Sequence, residues 1–201
     1  MGTKALAVLI SGSGSNFKAI HKACEEGRLN CRIKLVISDR KGAAGLAYAK
    51  AKDLPTKVLA PQDFLTYEAW DSALKEALLE AQVDLLILAG FLRKIGSEVL
   101  AAYPERILNI HPALLPKYGG AGCYGLRPHE MALANGDEEA GATVHFVNEV
   151  YDAGQIILQR SIPIRAGESA ESLQKRVLSE VEWKLYTEAI AKVINDLEGK
   201  K

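Results

Sequence analysis

Cysteines are few and long apolar segments are missing from this sequence. The three cysteines, Cys24, Cys31 and Cys123, have spacings that match no metal-binding or redox motif. The N-terminal apolar run at residues 5–10 is too short for a signal peptide or a membrane span. We therefore expect a cytoplasmic protein with reduced thiols, no metal site and no membrane contact.

An excess of charge of either sign is also missing. Lys and Arg total 25, and Asp and Glu total 25. Proteins that bind nucleic acids neutralise phosphates with surplus Lys and Arg, so we expect no nucleic acid among the main partners. The length of 201 residues, 48% of them hydrophobic, predicts a single domain over residues 1–201.

Short apolar runs alternate with helix-period segments along the first half of the chain. This alternation is typical of βαβ units and predicts an α/β fold with a doubly wound, mostly parallel sheet and helices on both faces. Strands are predicted at residues 5–10, 33–37, 56–59, 84–88 and 106–112. Helices are predicted from Asn16, over 44–52, from an Asp63 cap to Glu80, and over 97–103.

The second half begins with an irregular segment rich in Gly and Pro at residues 113–128. Loops of this length in a compact domain are uncommon and usually functional. A helix is predicted at 130–135, a pair of strands at 141–147 and 155–162, and a long amphipathic C-terminal helix at 169–197.

The first strand runs into a loop of small residues, Ser11-Gly-Ser-Gly-Ser-Asn16, before a helix. Free N–H groups at a helix N-terminus favour an anion, and phosphate is the natural guest. A plain strand-to-helix turn is an equally good interpretation of the loop alone. A dinucleotide-binding site is the alternative function. Its Gly-x-Gly-x-x-Gly motif requires Gly where this chain has Phe17, but the acidic residue that the motif places after the second strand is present as Asp39.

Asn109 and His111 lie two residues apart in an extended segment, so their side chains leave the same face. Pro112 holds His111 out of the helical region. An amide donor beside an imidazole suits a carbonyl under attack, because the amide stabilises an oxyanion while the imidazole exchanges a proton. Asp152 lies in a turn downstream and is a candidate to orient the imidazole, but sequence alone does not join them.

Four blocks of the chain, in order, resemble the phosphoribosylglycinamide formyltransferase family of folate-dependent enzymes, which act in purine synthesis. The likeness covers nearly the whole chain. The blocks are Ile10-Ser-Gly-Ser-Gly-Ser-Asn16, Ala89-Gly-Phe-Leu-Arg93, Leu108-Asn-Ile-His-Pro-Ala-Leu-Leu-Pro-Lys-Tyr118, and Thr143-Val-His-Phe-Val147 followed by Asp152.

The resemblance implies formyl transfer from 10-formyltetrahydrofolate to the glycyl amine of 5-phosphoribosylglycinamide (glycinamide ribonucleotide), without a metal. It implies a Rossmann-like formyltransferase fold, with a phosphate-binding half at 1–110 and a folate and catalytic half at 111–201, as a monomer or homodimer. It assigns catalysis to Asn109, His111 and Asp152. It assigns substrate binding to Gly14, Ser15, Asn16 and Glu182. It assigns folate binding to Tyr67, Leu92, Arg93, Lys94, Ile95, Asn109, Asn148, Glu149, Val150, Tyr151 and Asp152.

The chain departs from the family pattern at three places. Ala153 stands where a second glycine is frequent, so any turn there with positive φ must tolerate it. Tyr67 stands where relatives often carry an Arg that touches folate, and the segment 119–126 is longer than in some relatives. Methionyl-tRNA formyltransferase and formyltetrahydrofolate hydrolase share the Asn-x-His pattern and remain rivals. The phosphate loop favours the nucleotide substrate.

Overall fold

The computed structural model describes residues 2–199 and contains one sheet of seven strands in these residues. The strand order is β3-β2-β1-β4-β5-β6-β7, and the first five strands run parallel. The strands are β1 Lys4–Ile10, β2 Cys31–Ser38, β3 Thr56–Val58, β4 Leu85–Leu88, β5 Ile107–His111, β6 Glu139–Phe146 and β7 Ile156–Pro163. The predicted doubly wound α/β fold is confirmed, as a mixed sheet.

The helices cover both faces of this sheet. They are α1 Ser15–Glu25, α2 Ala44–Ala51, α3 Tyr67–Glu80, α4 Ser97–Ala102, α5 Arg127–Ala134, α6 Ala170–Arg176 and α7 Trp183–Gly199. Alternate residues of β1 point to opposite faces, so Leu6 and Val8 pack with α1 and α7 while Ala7 and Leu9 pack with α3 and α4. The strands are therefore buried on both sides, which explains their continuous apolar runs.

The direction of winding changes at β1, which pairs in parallel with β2 on one side and β4 on the other. Ligands of open α/β sheets bind outside the carboxyl ends of the strands at such a switch point. The loops after β1, β4 and β5 all leave the sheet at this edge. Beyond β5, the antiparallel strand β6 places His145 directly opposite Asn109.

The start of α3 differs from the prediction. Thr66, not Asp63, caps this helix, and its Oγ1 accepts a hydrogen bond of 3.1 Å from the Ala69 N–H. Asp63 instead ends a 3₁₀ turn and forms an ion pair with Lys41 at 3.2 Å. Both residue types cap helices well, and Pro61 at the start of the 3₁₀ turn places Thr66 at the point where the chain becomes helical.

The predicted C-terminal helix has the expected extent but is not a regular α-helix throughout. Between α6 and α7 lies a π-helical segment, Val177–Glu182, in which the backbone is wound more loosely. Val181 and Glu182 of this segment are buried. No helix within residues 2–199 is long and apolar enough to cross a membrane.

Two of the cysteines are closer than their separation of seven residues suggested. The Sγ atoms of Cys24, near the end of α1, and Cys31, at the start of β2, are 3.4 Å apart. Cys31 is buried, and Cys24 is partly buried. The turn at Gly27, where φ is +70°, brings the two side chains together.

Candidate active site

A cleft of about 490 Å³ opens at the carboxyl ends of β1, β4 and β5. Its volume lies in the range of small-molecule sites, which span roughly 300–1,000 Å³. The glycine loop and the π segment form one end, and the Asn109 strand with the turn at Asp152 forms the other. Below, these are called the phosphate end and the catalytic end.

The glycine loop at the phosphate end needs glycine at position 14. Gly14 is the N-cap of α1 with φ of +67°, and a Cβ atom there would lie 3.2 Å from the Gly45 Cα. No side chain caps α1, and its first turn carries no acidic residue. The helix N-terminus therefore offers backbone N–H groups and a positive dipole end to an anion, in the arrangement typical of phosphate sites.

Glu182 faces this loop from the π segment. The Asn16 Nδ2 donates a hydrogen bond of 2.7 Å to Glu182 Oε2, across 166 residues of sequence. Both residues are 7% exposed. Burial raises the pKa of Glu182 above its ordinary value, and the Asn16 bond offsets this only in part. The Asn16 Oδ1 is buried without a partner among residues 2–199, so one acceptor is left for a ligand.

Asp152 joins two histidines at the catalytic end. Its Oδ2 lies 3.4 Å from His111 Nδ1, and its Oδ1 lies 3.5 Å from His145 Nε2. The Asn109 Nδ2 lies 3.1 Å from the same His145 nitrogen. The structure thus brings together Asn109, His111 and Asp152, the three residues predicted to be catalytic, and adds His145 between them.

The turn that presents Asp152 differs from the expectation. The residue with positive φ is Asp152 itself, at +53°, and not Ala153. Asp tolerates this left-handed conformation better than most residues, which removes the expected difficulty at Ala153. Gly154 is the position without space, because a Cβ atom there would lie 1.7 Å from the Phe146 carbonyl oxygen.

The charges at this end are set by burial and by neighbours together. Burial raises the pKa of Asp152, but the adjacent rings of His145 and His111 and the 2.9 Å hydrogen bond from the Gly120 N–H outweigh burial and lower the pKa below its ordinary value. Burial lowers the pKa of His111, and Asp152 and the Tyr118 carbonyl offset this only in part. The carboxylate is therefore ionised, beside an imidazole that resists charging.

Both ring nitrogens of His111 face oxygen acceptors. Nε2 lies 2.8 Å from the carbonyl oxygen of Tyr118, and Nδ1 faces Asp152. Tyr118 has φ of +56° and belongs to the Gly- and Pro-rich segment between β5 and α5. Another imidazole, His129, also lines the cleft; burial and the charge of His111 lower its pKa to about 4.

Most of the residues predicted to bind folate line the cleft. Leu92, Val150 and Tyr151 are also at least 43% exposed, so they form an apolar mouth. The full set of such residues in the cleft wall is Leu92, Arg93, Lys94, Ile95, Asn109, Asn148, Val150, Tyr151 and Asp152.

Three predicted binding residues lie outside the cleft wall: Gly14, Tyr67 and Glu149. Gly14 acts through the shape of its loop. Tyr67 donates its hydroxyl hydrogen to the Lys94 carbonyl oxygen and so supports a wall segment from behind. Its ring lies 5.3 Å from the Trp70 ring.

Asp39, the residue that supported a dinucleotide site, forms ion pairs with two arginines. Its Oδ2 lies 3.1 Å from Arg93 Nε and 3.8 Å from Arg40 Nε, and its side chain is fully buried. A ribose-binding carboxylate has to face the cofactor. Within residues 2–199, no group of three or more His, Cys, Asp or Glu residues is placed to hold a metal ion.

Sequence reasoning did not assign a role to His145, His129 or Gly120. A signal for His145 was present, since a polar residue stands in the buried strand segment Thr143-Val-His-Phe-Val147. Its pairing with Asn109 depends on the register of β5 against β6, which a single sequence does not give. Gly120 contributes a backbone N–H, for which no side-chain signal exists.

Comparison with known proteins gives consistent matches. Residues 4–190 match the model of the Formyl transferase family. The Escherichia coli (strain K12) phosphoribosylglycinamide formyltransferase is 40% identical over 172 residues, which cover 86% of this chain and 79% of that protein. A crystal structure of glycinamide ribonucleotide transformylase 1 from Symbiobacterium toebii superposes with a TM-score of 0.89 at 43% identity, covering 95% of this chain and 88% of that one.

A plant protein extends beyond the matched region. The chloroplastic phosphoribosylglycinamide formyltransferase of Arabidopsis thaliana is 41% identical over 198 residues, which cover 96% of this chain. This chain spans 66% of the length of that relative.

Proposed function

This chain belongs to the formyl transferase family, and we propose that it transfers the formyl group of 10-formyltetrahydrofolate to the glycyl amine of 5-phosphoribosylglycinamide. The products are formylglycinamide ribonucleotide and tetrahydrofolate, in purine synthesis. One observation carries the proposal: a phosphate-type helix N-terminus and the Asn109, His111 and Asp152 cluster face one cleft. A phosphorylated amine and a carbonyl donor can meet there.

The residues of the cleft suit a formyl folate. The wall offers exposed apolar side chains at Leu92, Val150 and Tyr151, together with the backbone groups of residues 92–95 and 148–152. This combination suits a flat heterocycle with several donors and acceptors. When bound, the folate supplies an electrophilic formyl carbon, and this protein supplies the groups that bind it and move protons.

At the phosphate end we assign substrate binding to Gly14, Ser15, Asn16 and Glu182. The loop and helix N-terminus hold the phosphate, and Glu182 accepts a hydrogen bond from the glycyl amine. The amine must be neutral to attack, and a carboxyl whose pKa is raised by burial favours a neutral partner over a charged one.

At the catalytic end Asn109 donates a hydrogen bond to the formyl oxygen as negative charge develops on it. The amine nitrogen forms a bond to the formyl carbon, and the bond from that carbon to N10 of the folate breaks. His111 takes the proton that the amine loses and delivers one to N10, so no net proton is consumed. Asp152 stabilises the imidazolium between these two transfers.

His111 needs a free nitrogen for this exchange. Because Nδ1 faces Asp152, the reactive nitrogen is Nε2, which in the structure contacts the Tyr118 carbonyl. The segment that carries Tyr118 therefore has to release the ring before each proton transfer. Gly120, Gly122 and Gly125 of this segment all have positive φ, a conformation that glycine adopts without steric cost.

Several predictions from the sequence extend this proposal. The division into a phosphate-binding half at 1–110 and a folate and catalytic half at 111–201 stays a prediction, because each end of the cleft takes residues from both halves. The cytoplasmic location, the lack of a nucleic-acid partner and the monomeric or homodimeric state stay predictions.

The deciding experiment mixes the purified protein with 10-formyl folate, with and without 5-phosphoribosylglycinamide, and follows deformylated folate by absorbance. We expect release that depends on the nucleotide. Release at an equal rate without the nucleotide would indicate a hydrolase and would refute the transfer. Formylation of methionyl-tRNA in place of the nucleotide would point to the other rival.

A further inference from the structure

His145 and Asn109 form a pair across two strands. They occupy opposite positions of the antiparallel strands β6 and β5, and His145 is only 2% exposed. Asn109 Nδ2 lies 3.1 Å from His145 Nε2. The other ring nitrogen, Nδ1, lies 2.8 Å from the Phe146 carbonyl oxygen. Both nitrogens of the ring therefore have a partner within hydrogen-bond distance.

These partners determine where the proton of the ring sits. A carbonyl oxygen only accepts, so the Nδ1 atom must carry hydrogen to bond the Phe146 carbonyl. A neutral ring then has a lone pair on Nε2, which can accept from the Asn109 amide. If Nε2 also carried hydrogen, it would donate to Asp152 Oδ1 at 3.5 Å, and the Asn109 amide would have to present its oxygen instead.

We propose that His145 is a positioning residue for the formyl transfer: as the neutral Nδ1–H tautomer it accepts a hydrogen bond from Asn109 and fixes the amide orientation. An amide NH₂ group has two N–H bonds. One is held by His145, and the second is left to donate to the formyl oxygen. A flipped amide would direct its carbonyl oxygen at a developing oxyanion and repel it.

The inference rests on the proposed function, because it gives Asn109 the role of oxyanion donor. Its structural part, the tautomer of His145, is testable without any substrate. Long-range ¹H–¹⁵N spectra of protein labelled with ¹⁵N-histidine distinguish a protonated from an unprotonated ring nitrogen, and His145→Gln assigns the signals. We expect Nδ1 protonated and Nε2 unprotonated at neutral pH. A protonated Nε2 overturns the proposal, whether or not the enzyme is active.

The kinetic part compares His145→Leu with His145→Gln. Leucine removes the acceptor, whereas the Gln amide oxygen can accept from Asn109. We expect His145→Leu to lower kcat on the order of tenfold to a hundredfold with little change in KM, since a small misplacement of a reacting group can cost about a hundredfold. His145→Gln should recover most of that loss. His21→Leu, which removes another buried histidine outside the cleft, is the matched control.

A double variant separates positioning from a purely structural role. If His145 acts through Asn109, His145→Leu should lower kcat little further in an Asn109→Ala background. An equal loss in both backgrounds overturns the proposal, as does a Gln variant no better than Leu. If the Leu variant does not fold, the tautomer measurement on the unaltered protein decides. A wild type without nucleotide-dependent transfer refutes the proposed function and leaves the tautomer result as it stands.

Discussion

Two buried carboxyl groups of the same cleft have opposite electrostatics. Burial raises the pKa of Glu182 at the phosphate end, where a single amide, Asn16, donates to it. Burial also raises the pKa of Asp152 at the catalytic end, but two nearby histidines and the Gly120 N–H outweigh burial and lower that pKa below its ordinary value. The number and charge of the neighbouring groups, and not burial alone, decide which carboxyl is kept ionised.

This contrast suggests different tasks for the two ends. A carboxylate held ionised stabilises positive charge on His111 during proton transfer, which changes kcat. A carboxyl whose pKa is raised is suited to hold an amine in place, which changes KM. Substitutions at the catalytic end should therefore change mainly kcat, and substitutions at the phosphate end should change mainly KM. The following measurements test this difference.

The largest effect is expected for Asp152→Asn, which keeps the shape of the side chain and removes its charge. The carboxylate partly offsets the lowered pKa of His111, so its loss should lower that pKa further. We expect kcat to fall on the order of a thousandfold and the acid limb of its pH profile to move to lower pH. Asp196→Asn, in an exposed ion pair with Lys192 on α7, is the control. An unchanged profile would contradict the coupling.

Asn109→Ala should come next, because it removes the proposed oxyanion donor. Loss of one such donor typically costs about 3 kcal/mol, or roughly a hundredfold in rate. Steady-state kinetics should show the loss in kcat, with circular dichroism confirming the fold. Asn195→Ala, on the exposed face of α7, is the matched control. Near-normal turnover of Asn109→Ala would exclude the assigned role.

A smaller change, confined to substrate binding, is expected for Glu182→Gln. The substitution replaces one carboxyl oxygen by an NH₂ group, which cannot accept a hydrogen bond from the glycyl amine, so KM for the nucleotide should rise roughly tenfold at nearly constant kcat. Initial rates at varied nucleotide and saturating formyl folate measure both constants. Glu188→Gln on α7, whose carboxylate lies 2.8 Å from Arg160 of β7, serves as the control. A fall in kcat without a rise in KM would place Glu182 in the chemistry and remove the contrast.

The smallest effect concerns stability. The pKa of Glu182 is higher in the folded than in the unfolded protein, so its contribution is fully present below its ordinary pKa and is lost as pH rises above that value. Asp152 has the opposite sign and loses its contribution as pH falls below its ordinary value. Urea unfolding of Glu182→Gln should show a gain in stability relative to wild type that grows from acid to neutral pH. A constant difference would argue against a raised pKa.

The parts of the structure that depend on local pattern were predictable from the sequence. The strands β1, β2 and β4 are continuous apolar runs bounded by turn residues, and the switch point follows from their order. The predicted start of α3 was wrong. Asp63 and Thr66 are both residue types that cap helices well, and only the path of the chain after Pro61 selects Thr66.

The site was only partly predictable. Two-residue spacing paired Asn109 with His111, but Asp152 lies 41 positions beyond His111 and reaches it through the pairing of β5 with β6 and a turn at positive φ. The His145 contact depends on the same strand register. Long-range register of this kind is not encoded in any local pattern, so the family resemblance, and not geometry, supplied Asp152.

In the π segment at Val177–Glu182, the number of residues determines the direction in which the Glu182 side chain points. Each residue of an α-helix turns the next by about 100° and advances it about 1.5 Å. One residue fewer among 177–181 would turn Glu182 and α7 by about that angle relative to α6, yet would shorten the helical stretch by only about 1.5 Å. The number of residues in the segment therefore decides whether the residue at position 182 faces the glycine loop, as much as its identity does.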